Sequence, residues 1–351
     1  MCRTNRYRIA HAALLFFTLL VHAIAAAPHA AHKRAPARVH AVVSRNRKRG
    51  PCTFTDTRAA YKVTCPSGLT PNPVATVVTS YLHTPAKRET AIYLQRMQKF
   101  FELQASVVAY IDYAYVHTAQ RMVHRPDAVV IVPVTFSQFR TLSCGLGVWQ
   151  HEHDIDIERA VHAPTLYPVW AEKATMVAQA ARANCFGSDL FVWLDVGYFS
   201  GVDVPASPFP APDAMRWLPA DKVLLLGVNV SAIADFAEAY QRAGNVSTDG
   251  VGNFKRAVTL AAGGFGGSLQ AVLAWEAAYI AMLDRYRAQG WFAGKEQNLF
   301  TTMCVETPGI CAIHDSQFRW YDVVPLLSGT MQYRDWTYSP ADRRLRLRAL
   351  A

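Results

Sequence analysis

The spacing of apolar residues changes repeatedly along residues 74–337, and each change marks a predicted secondary-structure element. Short runs rich in β-branched and apolar residues predict buried strands. These strands cover Val74–Leu82, Val107–Asp112, Ala128–Val134, Leu190–Leu194, Lys222–Val228 and Ala257–Ala262. Between them, apolar residues recur every three or four positions, which predicts amphipathic helices. These helices cover Thr90–Leu103, Val169–Ala183, Ala232–Arg242, Leu269–Arg287 and Lys295–Met303.

Strands that alternate with helices are typical of a mostly parallel sheet with helices on both faces. The sequence therefore predicts the α/β class, with one large domain over residues 74–337. The proline-rich segment Pro205–Pro219 follows neither periodicity, and we expect it to form a loop over the ligand site. Residues 338–351 are predicted to form a basic C-terminal tail.

Residues 1–27 have the features of a secretory leader. Three arginines, Arg3, Arg6 and Arg8, precede an apolar stretch from Ile9 to Ala27 that ends in small residues. This order predicts a signal peptide. The stretch is also about long enough to span a bilayer, so an uncleaved signal-anchor is the alternative. In that case the N-terminus stays in the cytoplasm and the domain lies in the lumen.

The positive charge of the chain is confined to its N-terminal segment. The chain has 36 Lys and Arg residues against 26 Asp and Glu residues, a net charge of +10. Residues 1–50 contain ten of the basic residues and no acidic one, so residues 51–351 are neutral. This distribution disfavours nucleic-acid binding and favours a solvated basic stem, containing a small disulfide loop, over residues 28–73.

Six cysteines follow the leader, and an even number in an oxidising compartment predicts disulfides. Proximity along the chain favours the pairs Cys52–Cys65 and Cys304–Cys311, which leaves Cys144–Cys185, although six cysteines allow many other pairings. No spacing matches CxxC, so a zinc ribbon finds no support. Sequons for N-glycosylation at Asn229 and Asn245 agree with a lumenal location.

Asp195 is the first candidate for chemistry, because it directly follows the apolar strand Phe191–Leu194. In open parallel sheets, ligands bind outside the carboxyl ends of the strands, so an acid at this position faces the site. Gly197, two residues later, lets the backbone approach a ligand closely. The structural alternative is an aspartate that opens a turn or caps a helix.

Four glycines surround Phe265 in the segment Gly263–Gly267, which is predicted to join a strand to a helix. Backbone N–H groups at such a junction can bind a phosphate or a sugar. The spacing differs from GxGxxG, so a dinucleotide site is not indicated. A flexible turn without ligand contacts is the alternative.

Two further positions could contribute polar groups to a pocket. The pair Glu296-Gln297 opens a predicted helix and could hold sugar hydroxyls, although a first-turn glutamate often only complements the helix dipole. His314 follows a short apolar segment and could ligate a metal at the end of a strand, while a structural histidine is the alternative.

Several catalytic classes find no motif in the chain. The segment His151–Asp156 is rich in histidine and acid, but its spacing is not HExxH, and we expect an exposed loop there. The chain has no GxSxG motif of serine hydrolases and no P-loop.

Several blocks, in this order, resemble the HtrL/YibB family, whose members are assigned as glycosyltransferases. The matching blocks are Thr76–Tyr81, Tyr93–Met97, Tyr167–Trp170, Lys173, Asp189–Gly197, Gly263–Gly267, Trp275 and Glu296-Gln297. The resemblance covers roughly residues 74–325. It implies a GT-A fold, in which a Rossmann-like sheet binds a nucleotide-sugar.

The order of the motifs also looks like that of retaining enzymes of the glycogenin type, in which Asp-x-Asp holds Mn²⁺ or Mg²⁺ on the diphosphate. Asp195 matches the first acid, but Gly197 stands in place of the second, which leaves metal dependence open. By this likeness Asp195 and Glu296 are the catalytic candidates, and Asp195 and His314 are the metal ligands. The candidates for substrate contact are Trp193, Gly197, Lys173, Gly263, Gly264, Gly266, Gly267 and Gln297.

The predicted function is transfer of a sugar from a nucleotide-diphosphate sugar to a glycan, glycoprotein or glycolipid in the secretory pathway. The protein would lie in the Golgi or ER lumen as a type II membrane protein, or be secreted. The missing second acid favours an alternative, a non-catalytic lumenal protein that binds nucleotide-sugar or glycan. A secreted hydrolase is a third hypothesis, and it would need paired carboxylates in one cleft.

Overall fold

The computed structural model describes residues 52–84, 89–214, 216–243 and 259–336. The predicted leader, residues 28–50, the sequon at Asn245 and the tail over 338–351 lie outside these residues. Within the described ranges, no helix is both long enough and apolar enough to cross a bilayer.

The described residues contain eight strands and eight α-helices. The strands are β1 (Ala75–Tyr81), β2 (Ser106–Asp112), β3 (Val129–Val134), β4 (Leu190–Leu194), β5 (Val223–Gly227), β6 (Leu260–Ser268), β7 (Cys311–Asp315) and β8 (Asp335–Trp336). The helices are α1 (Thr90–Phe100), α2 (Val116–Met122), α3 (Gly147–Ile155), α4 (Leu166–Ala183), α5 (Val230–Ala243), α6 (Leu269–Ala288), α7 (Glu296–Glu306) and α8 (Val323–Leu327).

The strands form one mixed sheet in the order β3-β2-β1-β4-β6-β5-β7-β8. Strands β1, β2, β3 and β4 pair in parallel, and β5 pairs in parallel with β7. Strand β6 is antiparallel to both β4 and β5, and β8 is antiparallel to β7. The sheet is therefore mostly parallel, as predicted.

Both faces of the sheet are buried. Successive residues of a strand point to opposite sides, so each strand contributes side chains to two core clusters. On one face Val78 and Trp193 belong to a core cluster with residues of α4, α6 and α7. On the other face Val77 and Leu194 belong to a second cluster with residues of α1 and α8. The prediction of a single α/β domain with helices on both faces is confirmed.

Strand β6 is longer than predicted, because it continues through the whole glycine block to Ser268. A Cβ at Gly266 would lie 2.4 Å from the carbonyl oxygen of Phe191, and a Cβ at Gly267 would lie 2.7 Å from that of Lys222. These glycines let β6 pass close to its neighbours. The strand-to-helix junction predicted over this block is therefore wrong, since the block is itself a sheet strand and α6 begins only after Ser268.

The structure corrects two of the three predicted disulfides. Cys304–Cys311 is present, but the other bonds join Cys52 to Cys144 and Cys65 to Cys185. Long-range pairing is possible because the segment after Cys52 packs on the domain, with Phe54 and Tyr61 buried in its core. The described residues from Cys52 onward therefore belong to the folded domain, and the small disulfide loop predicted for the stem is wrong.

Two segments predicted as loops also differ from expectation. Most of His151–Asp156 lies in α3, where the buried Glu152 accepts a hydrogen bond of 2.6 Å from the backbone N–H of Ala293. The described residues of Pro205–Pro219 are irregular as predicted, but none of them lines the cleft at the carboxyl ends of β1 and β4. Instead Phe209 is buried in the second core cluster.

Candidate functional site

A cleft lies at the carboxyl ends of β1 and β4, where the order of the sheet reverses. The chain places β2 and β3 on one side of β1, and β4 on the other side. Such a switch point is the usual ligand site of open α/β sheets. The cleft has a volume of about 440 Å³, and its walls include residues 80–84 at the end of β1 and just beyond it, and residues 195–198 after β4.

Most of the predicted site residues meet in this cleft. Those that line it are Lys173, Trp193, Asp195, Gly197, Gly263 and Gln297. Those that do not line it are Gly264, Gly266, Gly267, Glu296 and His314. The lining residues without an individually predicted role include Tyr93, Arg96, Trp170, Tyr198, Trp320 and Tyr321.

Asp195 presents a carboxylate to the cleft in a fixed orientation. Its Oδ1 accepts a hydrogen bond of 2.7 Å from Trp193 Nε1 and lies 2.9 Å from Lys173 Nζ. The side chain is 42% exposed, so the carboxylate is accessible to a ligand. Its backbone carbonyl also accepts the N–H of Tyr198, so the residue both opens a turn and faces the site.

Lys173 lies on α4 and holds two acidic side chains in place. Its buried Nζ contacts Asp195, Glu296 Oε1 at 2.8 Å and the carbonyl of Ala262 at 3.2 Å. Burial by itself lowers the pKa of Lys173, but the two carboxylates outweigh it and raise the pKa. An ammonium has three N–H donors, and these three acceptors use all of them.

Glu296 and Gln297 take different positions at the start of α7. Glu296 is buried behind Lys173, and its side chain is only 7% exposed. Gln297 lines the cleft. The adjacent glutamate and glutamine therefore differ in position, because Glu296 contacts Lys173 away from the cleft while Gln297 lies in its wall.

His314 lies in β7 with its ring fully buried. Nδ1 accepts a hydrogen bond of 2.9 Å from the backbone N–H of Arg334, and Nε2 lies 3.8 Å from Asp322 Oδ2. Burial and the charge of Arg334 lower the pKa of His314, which favours the neutral ring. The structure does not place His314 in the wall of the cleft with Asp195.

An aromatic segment lies at the edge of the cleft between β7 and α8. Phe318, Trp320 and Tyr321 are 68%, 41% and 38% exposed, and the last two line the cleft. Tyr198 supports the segment, because its hydroxyl accepts the backbone N–H of Val323 and its ring packs edge-on against Tyr321. Sequence patterns gave no sign of this surface, since its residues lie outside the strands and helices.

A second polar cluster contains Asp156, Glu158 and His162. In the described part of the chain this is the one group of three such side chains close enough to hold a metal ion, with ligand atoms within 4.8 Å of one another. Lys295 also contacts both acids. Burial opposes ionisation of Asp156, but the hydrogen bond with His162 and other contacts lower its pKa to about 2.

No protein-family model matches the chain, and no curated protein matches it. Mouse xyloside xylosyltransferase 1 in its apo form has a similar structure, at 8% identity and a TM-score of 0.39, over 77% of this chain and 98% of that chain. Core-mannan synthase A from Aspergillus fumigatus, in a Mn/GDP form, is 9% identical with a TM-score of 0.42, over 79% and 81%. These comparisons do not confirm the resemblance to the HtrL/YibB family.

Proposed function

We propose that the cleft binds a nucleotide-diphosphate sugar and that the protein transfers its sugar to a glycan, glycoprotein or glycolipid. The observation that carries the proposal is the accessible Asp195 carboxylate at the switch point of the sheet, held by Lys173 and Trp193. The motif resemblance to glycosyltransferases centres on this same strand end. A cleft of about 440 Å³ lies within the usual range of small-molecule sites.

Asp195 has one oxygen available for the donor. Oδ1 is occupied by Trp193 and Lys173, whereas Oδ2 would be 3.4 Å from a Cβ at Gly263, on the cleft side of β6. A carboxylate oriented in this way can accept hydrogen bonds from hydroxyls of the donor. Glu296 acts as a positioning residue through Lys173, and Gln297 adds an amide to the same wall.

The reaction exchanges one bond at the anomeric carbon. The bond from that carbon to the β-phosphate oxygen breaks, and its electron pair stays on the phosphate. The acceptor hydroxyl oxygen forms the new bond, and its proton passes to the departing phosphate. Catalysis then depends on fixed groups that hold the donor and stabilise the charge that develops on the leaving group.

The aromatic segment at the edge of the cleft suits a carbohydrate acceptor. Trp320 and Tyr321 present rings beside the donor cleft, and Phe318 extends the surface outward. Such amphipathic rings offer both apolar area and polar edges to a sugar. The three disulfides agree with a lumenal or secreted location, where glycan acceptors are available.

Thermal unfolding with a panel of UDP- and GDP-sugars tests donor binding. A matching donor at about a hundredfold excess over its Kd should stabilise the fold by about 2.7 kcal/mol and raise Tm by several degrees. The free sugars serve as controls and should leave Tm unchanged. No shift with any donor would contradict the proposal, while a shift without release of nucleoside diphosphate would favour the non-catalytic alternative.

A further inference from the structure

The space beside Gly197 is filled by a cation. A Cβ at Gly197 would lie 3.1 Å from Nη1 and 3.5 Å from Cδ of Arg96, a residue of α1. An aspartate at this position, as in Asp-x-Asp, would have to share that space with the guanidinium. The absence of a side chain at Gly197 therefore leaves room for the guanidinium of Arg96.

The residues of the cleft do not fit a divalent cation held by Asp195 and His314. Mn²⁺ and Mg²⁺ require several oxygen or imidazole ligands around the ion. Asp195 Oδ1 already faces two N–H donors, and Gly197 offers no side-chain ligand. His314 turns Nδ1 toward the backbone N–H of Arg334 and lies outside the lining of the cleft.

Arg96 has N–H donors available for a ligand, whereas Lys173, the other cation of the cleft, has none left. All three donors of Lys173 are used by Asp195, Glu296 and Ala262. The guanidinium of Arg96 lies 5.6 Å from the centre of the Tyr93 ring, and no carboxylate of the described residues forms an ion pair with it. It is half-buried in the wall of the cleft, where a ligand can reach it.

We infer that Arg96 binds the diphosphate of the donor and stabilises the leaving group in place of a metal ion. This inference rests on the proposed function, because it assumes that the cleft receives a nucleotide-sugar. The planar guanidinium can donate two parallel hydrogen bonds to phosphate oxygens. When the sugar departs, the negative charge left on the diphosphate grows, and a fixed cation in the cleft stabilises it.

Binding of UDP, GDP and inorganic pyrophosphate, measured by calorimetry in excess EDTA, tests the inference. The wild-type chain should bind at least one of them without metal, and a parallel titration with Mn²⁺ and no EDTA should give an affinity within about threefold of that value. Arg96→Gln should weaken binding about tenfold or more, since a charge-assisted hydrogen bond is lost. Arg96→Lys should recover part of the affinity, because it restores the charge but not the two parallel hydrogen bonds of the guanidinium.

Arg121→Gln is the matched control, because Arg121 is an exposed arginine on α2 whose hydrogen bond goes to Thr118 in the same helix. It should bind like the wild-type chain. Gly197→Asp provides a second test, since a carboxylate beside Arg96 should neutralise the guanidinium and weaken metal-free binding. Melting curves of all variants verify that each one is folded.

Three outcomes overturn the inference: strict dependence of binding on Mn²⁺, wild-type affinity in Arg96→Gln, or no binding of any of the three anions to the wild-type chain. The proposed function fails separately, if Arg96-dependent binding occurs but no nucleotide-sugar releases its nucleoside diphosphate. In that case Arg96 still marks a diphosphate site on a non-catalytic protein.

Discussion

At the scale of residues, the site is organised around one buried lysine. Lys173 links the accessible carboxylate of Asp195 to the buried carboxylate of Glu296, and Trp193 donates a hydrogen bond to the same oxygen of Asp195. A buried charge is tolerated only when its partners are close and its hydrogen bonds are complete. Lys173 therefore serves the fold and the site together.

Replacing Lys173 with methionine should destabilise the protein by about 3 kcal/mol, because Glu296 would keep a buried charge without its cation. The double variant Lys173→Met with Glu296→Gln should recover much of this loss, since no buried charge is left without its partner and the Asp195 carboxylate is 42% exposed. Urea unfolding of the two single variants and the double variant gives the coupling energy. A Lys173→Met protein as stable as the wild-type chain would show that the ion pair is not structural.

At the scale of elements, β6 both completes the sheet and borders the cleft. A Cβ at Gly266 would meet the carbonyl oxygen of Phe191 in β4 at 2.4 Å, whereas a Cβ at Gly263 would lie 3.4 Å from Asp195 Oδ2. One strand thus contains glycines needed for close packing and a glycine that lines the cleft.

Gly266→Ala should destabilise the fold by about 2–3 kcal/mol, because its methyl group would overlap the backbone of β4. Gly263→Ala is the matched control for stability, since its methyl group would be in ordinary contact with Asp195 Oδ2. We expect Gly263→Ala to melt like the wild-type chain. Thermal and urea unfolding measure both effects. Equal stability of the two variants would show that Gly266 is no more important for packing than Gly263.

Local patterns predicted the elements well, because β4 is apolar throughout, β1 is rich in β-branched and apolar residues, and α4 has a clear helical period. They failed where the answer depends on distant residues. The glycine block looks like a loop until Phe191 and Lys222 are seen beside it. The same limit explains the disulfide between Cys65 and Cys185, 120 residues apart.

The same limit applies to the candidate site, where local patterns predict a position but not its contacts with distant residues. Asp195 was predictable because a strand end needs no knowledge of its neighbours. Glu296 was assigned to the sugar, yet the structure buries it behind Lys173, and His314 is placed with Arg334 and Asp322. Arg96 lies in a matching block but received no role, because nothing in the sequence shows that α1 lies against Gly197.

At the scale of the whole molecule, the cleft lies in a chain whose residues 51–351 have no net charge. Residues 51–351 are neutral, so attraction of a donor depends on local groups such as Arg96 and not on a general positive field. Disulfides Cys52–Cys144 and Cys65–Cys185 tie the N-terminal segment to the domain. The cleft and its supporting shell therefore belong to one folded unit.

Release of nucleoside diphosphate from a panel of UDP- and GDP-sugars tests the central claim most directly, because it needs no knowledge of the acceptor. The wild-type chain should turn over at least one donor, and Asp195→Asn should lower kcat/KM about a hundredfold or more while remaining folded. Asp213→Asn is the control, since Asp213 is 73% exposed and pairs with Arg216 outside the cleft. Wild-type turnover by Asp195→Asn would contradict the account.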